Sequence, residues 1–127
     1  MLVLTTAAED LDRLYPWLEA EAAAVPTPIR HAMHVALEEA VMNVVTHAFA
    51  PGDAGRIGVT LDVSGGSATL VIEDSGAAFN PVAAPAPERP TTLEPGGLGL
   101  ILLRHYCHDI RYERAGERNR LTLRFPL

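Results

Sequence analysis

The stretch from Ala36 to Ala48, ALEEAVMNVVTHA, predicts a long helix that is apolar on most of its surface. Within it, Glu39, Asn43 and His47 follow one another at steps of four, which places them one turn apart on one helix face. The opposite face is apolar and carries, at helical spacing, Met33, Leu37, Val41, Val44 and Ala48. A carboxylate in such a helix costs free energy unless it is paired or coordinated. An acid and an amide one turn apart suit a site for a nucleotide with Mg²⁺, because Mg²⁺ prefers oxygen ligands.

The run from Leu70 to Asp74, LVIED, predicts a buried strand, which Ser75 and Gly76 end. Asp74 is the candidate adenine-binding residue, because a carboxylate accepts a hydrogen bond from the exocyclic amino group of adenine and rejects the carbonyl group of guanine. Gly76 would let the backbone approach the base closely, since it has no side chain. The alternative for both residues is a strand end followed by an Asx-type turn, which is common in loops.

The run from Gly96 to Leu100, GGLGL, predicts the start of a further apolar helix. Free backbone N–H groups at a helix start attract phosphate, which makes Gly96, Gly97, Leu98 and Gly99 candidate phosphate contacts. The run is not a Walker A motif, because no Lys-Ser/Thr pair follows it and the chain contains no lysine. The alternative is a loop-to-helix junction in which glycine serves only to turn the chain.

The order of these features resembles the N-box, G1 and G2 motifs of the Bergerat-fold (GHKL) ATPases: an acidic helix, a strand ending in Asp-x-Gly, and a glycine-rich helix start. The small size and the run GGLGLILL are similar to the stand-alone anti-sigma-factor serine-protein kinases of the RsbW type. The resemblance implies ATP and Mg²⁺ as cofactors, Glu39 as the catalytic general base and Asn43 as the Mg²⁺ ligand, with His47 beside them. It also implies an ATP lid over Val82 to Pro95.

The activity that the resemblance implies is that of a serine/threonine-protein kinase, which transfers the ATP γ-phosphoryl group to a STAS-type anti-sigma-factor antagonist. The implied partners are that antagonist, a sigma factor or other regulatory protein that competes with it in partner switching, and a second copy of the chain in a homodimer. Asn119 stands where many relatives carry a threonine near the nucleotide, so this contact stays open. Two other functions also stay open: a catalytically silent nucleotide-binding interaction module, and a stand-alone catalytic domain of histidine-kinase type.

Length and composition predict one domain over residues 1–127, because 127 residues of which 48% are apolar can bury a substantial core. The patterning predicts an α+β fold, a two-layer α/β sandwich with a mixed, mostly antiparallel sheet and about three helices on one face. The predicted helices run from Asp10 to Ala24, from a cap at Thr27 through the acidic motif, and onward from Gly97. Within the first of them, Pro16 either kinks the helix or marks its true first turn. The predicted strands are Leu2 to Thr5, Arg56 to Val63, Ala68 to Asp74, His108 to Arg114 and Arg120 to Phe125. Two hairpins are predicted, with turns at Gly65-Gly66 and at Ala115-Gly116.

The net charge of −6 argues against direct binding of nucleic acid, which needs a basic surface. No apolar run approaches the roughly 20 residues of a membrane span. The first residues have neither the basic lead nor the apolar length of a signal peptide. We therefore expect a cytoplasmic protein that does not associate with membranes.

Overall fold

Five strands form one sheet, and the helices pack on one of its faces. The computed structural model describes residues 1–50, 55–80 and 105–127. Within these ranges the elements are β1 (Leu2–Thr5), α1 (Ala8–Leu11), α2 (Leu14–Glu21), α3 (Thr27–Asn43), β2 (Arg56–Ser64), β3 (Ser67–Asp74), β4 (Asp109–Ala115) and β5 (Arg118–Pro126). A π-helical turn, Val44–Ala48, continues α3. None of the helices in these ranges is long and apolar enough to cross a membrane.

The strand order is β1-β2-β3-β5-β4, and all neighbouring strands in the described part of the chain pair antiparallel. Gly65 and Gly66 join β2 to β3 with φ values of +58° and +76°, a conformation that glycine adopts at little cost. Gly116, at φ +62°, joins β4 to β5 in the same way. The predicted α+β sandwich and both hairpins are confirmed, while the described sheet is antiparallel throughout rather than mixed.

Alternation along the central strand sends one set of side chains into the core. On β3 the buried residues are Ala68, Leu70, Ile72 and Asp74, and the residues between them are half-buried. They belong to the same core as the apolar face of α3, whose predicted members are all buried: Met33, Leu37, Val41, Val44 and Ala48. The last inward position of β3 is therefore a carboxylate rather than an apolar group.

The helices differ from the prediction at two points. The expected helix from Asp10 to Ala24 is divided into α1 and α2, and Pro16 lies in the first turn of α2. The division follows from Pro16, which has no N–H to donate to the carbonyl four residues earlier. Thr27 is the first residue of α3 and forms no capping hydrogen bond, since Pro26 takes the cap position. Of the helix expected from Gly97, only His105 and Tyr106 lie within the described residues, and both are helical.

Candidate functional site

Asp74 is the last residue of β3 and is only 4% exposed. Its Oδ1 accepts two hydrogen bonds, one from the backbone N–H of Gly76 at 2.8 Å and one from Nδ2 of Asn119 at 2.9 Å. Among the residues that the structure describes, none donates to the other carboxylate oxygen, Oδ2. The Asx-type turn and the inward-facing carboxylate thus occur together, and one carboxylate oxygen stays available to a ligand that donates a hydrogen bond.

Gly76 lies against the end of the acidic helix. A Cβ atom added to Gly76 would come within 2.4 Å of the carbonyl oxygen of Ala48 and 2.8 Å of its Cβ. The next residue, Ala77, donates its backbone N–H to the same carbonyl oxygen at 2.8 Å. Glycine is therefore required here by contact with the helix, which brings the Asp-x-Gly turn beside the π-helical turn that ends α3.

Glu39 and Asn43 lie one turn apart on α3, as the sequence predicts. Asn43 is buried, with 7% of its surface exposed, and Glu39 is half-buried. His47 is exposed and belongs to the π-helical turn Val44–Ala48, in which the hydrogen bonds span five residues instead of four. The step of four from Asn43 therefore no longer places His47 directly above the other two side chains.

The ring of His47 instead stacks on the ring of Phe79, with centroids 4.6 Å apart and an angle of 18° between the planes. Phe79 follows the Asp-x-Gly turn by three residues. This stacking is a second link, beside the contact of Gly76 with Ala48, between the acidic helix and the loop after β3. The two motifs that are far apart in the sequence are thus joined in the fold.

Burial raises the pKa of Glu39 above its usual value, and the carboxylate of Glu38 beside it raises this pKa further. Glu38 itself is exposed. A carboxylate that is partly shielded from water is a better proton acceptor than one that is fully hydrated. Glu39 therefore has the environment that a general base requires, in a helix that carries a buried amide one turn away.

Asn119 is the site residue whose role sequence reasoning did not identify. It is 4% exposed and lies on β5 directly opposite Asp74. Its side chain also contacts the loop after β3 and the neighbouring strand β4, through Ala77, Phe79, Tyr112 and Arg114. The available signal was an asparagine directly before the predicted strand Arg120 to Phe125, a polar side chain that needs a partner when it is buried.

The candidate phosphate contacts Gly96, Gly97, Leu98 and Gly99 lie outside the described residues, as does the predicted lid from Val82 to Pro95. Their predicted roles stay predictions. The structure brings together Asp74, Gly76 and the end of the acidic helix, which form the described part of the candidate site.

A family model for the histidine kinase-like ATPase domain matches residues 4–125 of the chain. The chain belongs to this family. It is also 38% identical over 123 residues to the serine/threonine-protein kinase BtrW of Bordetella bronchiseptica, covering 93% of this chain and 86% of that protein. The resemblance to the GHKL ATPases that the sequence motifs predicted is confirmed.

Solved structures of histidine kinases have the same fold. The blue-light activated histidine kinase of Erythrobacter litoralis EL346 matches with a TM-score of 0.59 and 19% identity, over 81% of this chain and 32% of that one. A histidine kinase domain of the same protein matches with a TM-score of 0.59 and 16% identity, over 94% of this chain and 60% of that one. The chain therefore spans less than two thirds of each structure.

A histidine kinase-like ATPase domain implies ATP binding, usually with Mg²⁺. The described residues fit this expectation in two ways. At the end of β3, no donor among the described residues reaches Oδ2 of Asp74, and the amide of Asn43 is buried one helical turn from Glu39. An amide oxygen is a hard ligand of the kind that Mg²⁺ accepts.

Proposed function

We propose that this ATPase domain is a serine/threonine-protein kinase of the anti-sigma-factor type. In this proposal it transfers the γ-phosphoryl group of ATP to a serine of a STAS-type antagonist protein, and it sequesters a sigma factor or another regulatory protein in a partner-switching system. The two partners compete for one kinase, which acts as a homodimer in the cytoplasm.

One structural observation carries the proposal: Glu39 is half-buried, with a raised pKa, one helical turn from the buried amide of Asn43. The same helix ends against the turn that follows Asp74. A nucleotide bound at Asp74 would therefore have an acid and an amide of the adjoining helix beside it. The 38% identity to a serine/threonine-protein kinase over nearly the whole chain supports protein phosphorylation as the reaction.

The reaction follows from these groups. The carboxylate of Glu39 accepts the proton of the serine hydroxyl as the serine oxygen attacks the γ-phosphorus of ATP. A bond forms between the serine oxygen and the γ-phosphorus, and the bond from that phosphorus to the oxygen bridging to the β-phosphate breaks. The products are phosphoserine and ADP. Asp74 holds the adenine end of ATP. The main contribution to catalysis is then the positioning of the γ-phosphate and the serine hydroxyl against each other.

Asn43 would hold Mg²⁺ through its amide oxygen. When bound, the ion neutralises charge on the phosphate oxygens. Asn43 has a fixed position for this task, because it is buried at the last residue of α3, directly before the π-helical turn.

Binding is tested first, by titrating the purified chain with ATP in a calorimeter, with and without Mg²⁺ and with GTP as the control. We expect Mg²⁺-dependent binding that is selective for adenine. The Asp74→Asn variant should bind ATP about tenfold to a hundredfold more weakly, because a hydrogen bond to a charged group is lost. Asp62→Asn is the matched control, since Asp62 is an exposed aspartate on β2. Equal ATP affinity in the two variants would remove Asp74 as the adenine-binding residue.

Phosphoryl transfer is tested by incubating the chain with a STAS-type antagonist from the same genome and ATP labelled in the γ-phosphate. The proposal predicts acid-stable phosphoserine on the antagonist. Glu39→Ala should bind ATP and lose transfer, whereas Glu38→Ala, which changes the exposed neighbour, should retain transfer. No labelled protein would indicate a silent binding module, and acid-labile phosphohistidine would indicate a histidine-kinase reaction.

A further inference from the structure

The side chain of Asn119 is a polar amide, yet it is buried within the sheet. It is 4% exposed, and the sheet register places it opposite Asp74 on the neighbouring strand. A buried amide is costly unless its donors and its acceptor are satisfied. The hydrogen bonds of Asn119 therefore show what the residue does.

Both donors of the amide are used. Nδ2 donates to Oδ1 of Asp74 at 2.9 Å and to the backbone carbonyl of Ala77 at 2.8 Å. A primary amide has two N–H groups, so no donor is left for a bound nucleotide. Asn119 can influence a ligand only through the groups that it holds.

The amide oxygen of Asn119 is also fully engaged. It accepts hydrogen bonds from the hydroxyl group of Tyr112, from Nη1 of Arg114 at 3.2 Å and from the backbone N–H of Phe79 at 3.4 Å. Arg114 Nη1 donates as well to the carbonyl oxygen of Gly76, at 2.8 Å. These bonds fix the rotation of the amide, so that its N–H groups are held toward Asp74 and Ala77.

The result is a carboxylate with two different oxygens. Oδ1 of Asp74 accepts from Asn119 and from the N–H of Gly76, and within residues 1–50, 55–80 and 105–127 no donor reaches Oδ2. Rotating the carboxylate would break both hydrogen bonds to Oδ1. Oδ2 is therefore the oxygen that is presented to an incoming hydrogen-bond donor.

We propose that Asn119 is a positioning residue that sets the purine specificity of the site, by holding Asp74 so that Oδ2 accepts the exocyclic amino group of adenine. This inference rests on the proposed binding of adenine by Asp74. A threonine at this position would have a single O–H donor and could not hold both Asp74 and Ala77. Asparagine thus fixes the carboxylate and the following turn with one side chain.

The test compares the affinity for ADP with that for purine riboside diphosphate, which lacks only the exocyclic amino group. Diphosphates avoid turnover during the titration. Wild-type protein should prefer ADP. In Asn119→Ala this preference should fall about tenfold, the effect of losing one hydrogen bond that orients a charged group. The ratio of the two affinities is the readout, because a loss of folded protein lowers both affinities equally.

Three further variants make the result decisive. Asn119→Leu fills the buried volume without donors, and it should lose the same preference if Asn119→Ala does not fold. Tyr112→Phe removes one of three hydrogen bonds to the amide oxygen. Those from Arg114 and Phe79 still fix the amide's rotation, and both Nδ2 hydrogen bonds remain, so this variant should keep the preference. In the Asp74→Asn background, Asn119→Leu should leave the ratio unchanged, since the residue acts through Asp74.

Two negative outcomes can be distinguished. Wild-type protein that does not bind ADP would overturn the proposed nucleotide site itself. Wild-type protein that prefers ADP, together with Asn119 variants that retain the full preference, would overturn the positioning role alone.

Discussion

Glu39, the proposed general base, has a pKa that depends on a neighbouring charge. Its pKa is raised first by burial and then by the carboxylate of Glu38, and the second cause can be removed without changing the helix. A general base acts only when it is deprotonated, so a raised pKa moves the acidic limb of the rate profile to higher pH than an ordinary glutamate would give.

We expect Glu38→Gln to lower the pKa of Glu39 and to shift the acidic limb of phosphoryl transfer to lower pH. The measurement is the rate of phosphoserine formation as a function of pH, at saturating ATP. Glu117→Gln removes the same charge at an exposed position in the β4–β5 turn and should leave the limb where it is. An unchanged limb in Glu38→Gln would mean that another group titrates.

Gly76 is a residue at which the backbone leaves no room for a side chain. We expect Gly76→Ala to destabilise the protein by about 1–3 kcal/mol, because the methyl group meets the backbone and Cβ of Ala48. Gly58→Ala is the control, since its added Cβ would have Met1 Sδ, at 3.4 Å, as its nearest neighbour. Urea unfolding of both variants gives the comparison, and equal free energies of unfolding would contradict the close contact.

The helix α3 has an apolar face that packs in the core and a second face that carries the candidate general base. One face is buried in the core, and the other carries Glu39 and ends near the loop after β3. We expect Leu37→Ala to cost about 2–5 kcal/mol, because Leu37 is only 1% exposed and its removal leaves a cavity. Met42→Ala, on the same helix but 42% exposed, should cost less than about 1 kcal/mol. Chemical denaturation followed by circular dichroism measures both, and similar losses would refute the assignment of the faces.

Elements whose signals are local could be predicted from the sequence. The two faces of α3 follow from residues three and four apart, and the hairpins follow from glycines that accept positive φ. The helix expected from Asp10 is divided because Pro16 marks the first turn of a new helix, which is one of the two interpretations that the sequence left open. The π-helical turn after Asn43 has no local sequence signal, and its last residue, Ala48, contacts the turn at Gly76, 28 positions later in the chain.

The Asn119 network could not be predicted for a different reason. Its hydrogen bond to Asp74 joins residues 45 positions apart, and the pairing of β3 with β5 skips the strand between them in sequence. A single sequence shows that Asn119 is polar and comes directly before a predicted strand. Only the strand order shows that a carboxylate lies opposite it.

The candidate site lies where two parts of the chain meet, the end of the acidic helix and the turn after β3. Asp74 is at the end of the central strand β3, and the acidic helix contacts the following turn through Ala48 and Gly76. A ligand that binds both parts stabilises the folded state relative to the unfolded one. Nucleotide binding should therefore be visible as a change in the stability of the entire domain.

We expect Mg²⁺ and ATP together to raise the free energy of unfolding by about 2.7 kcal/mol when ATP is present at a hundred times its Kd. Thermal unfolding with increasing ATP measures this as a rise in Tm. Asp74→Asn should rise by only about 0.4–1.4 kcal/mol at the same ATP concentration, because its Kd is about tenfold to a hundredfold larger, while Asp62→Asn should follow the wild type. A rise of equal size in Asp74→Asn would mean that ATP binds the folded domain without this carboxylate. Both the adenine-binding role of Asp74 and the role of Asn119 in orienting it would then be excluded.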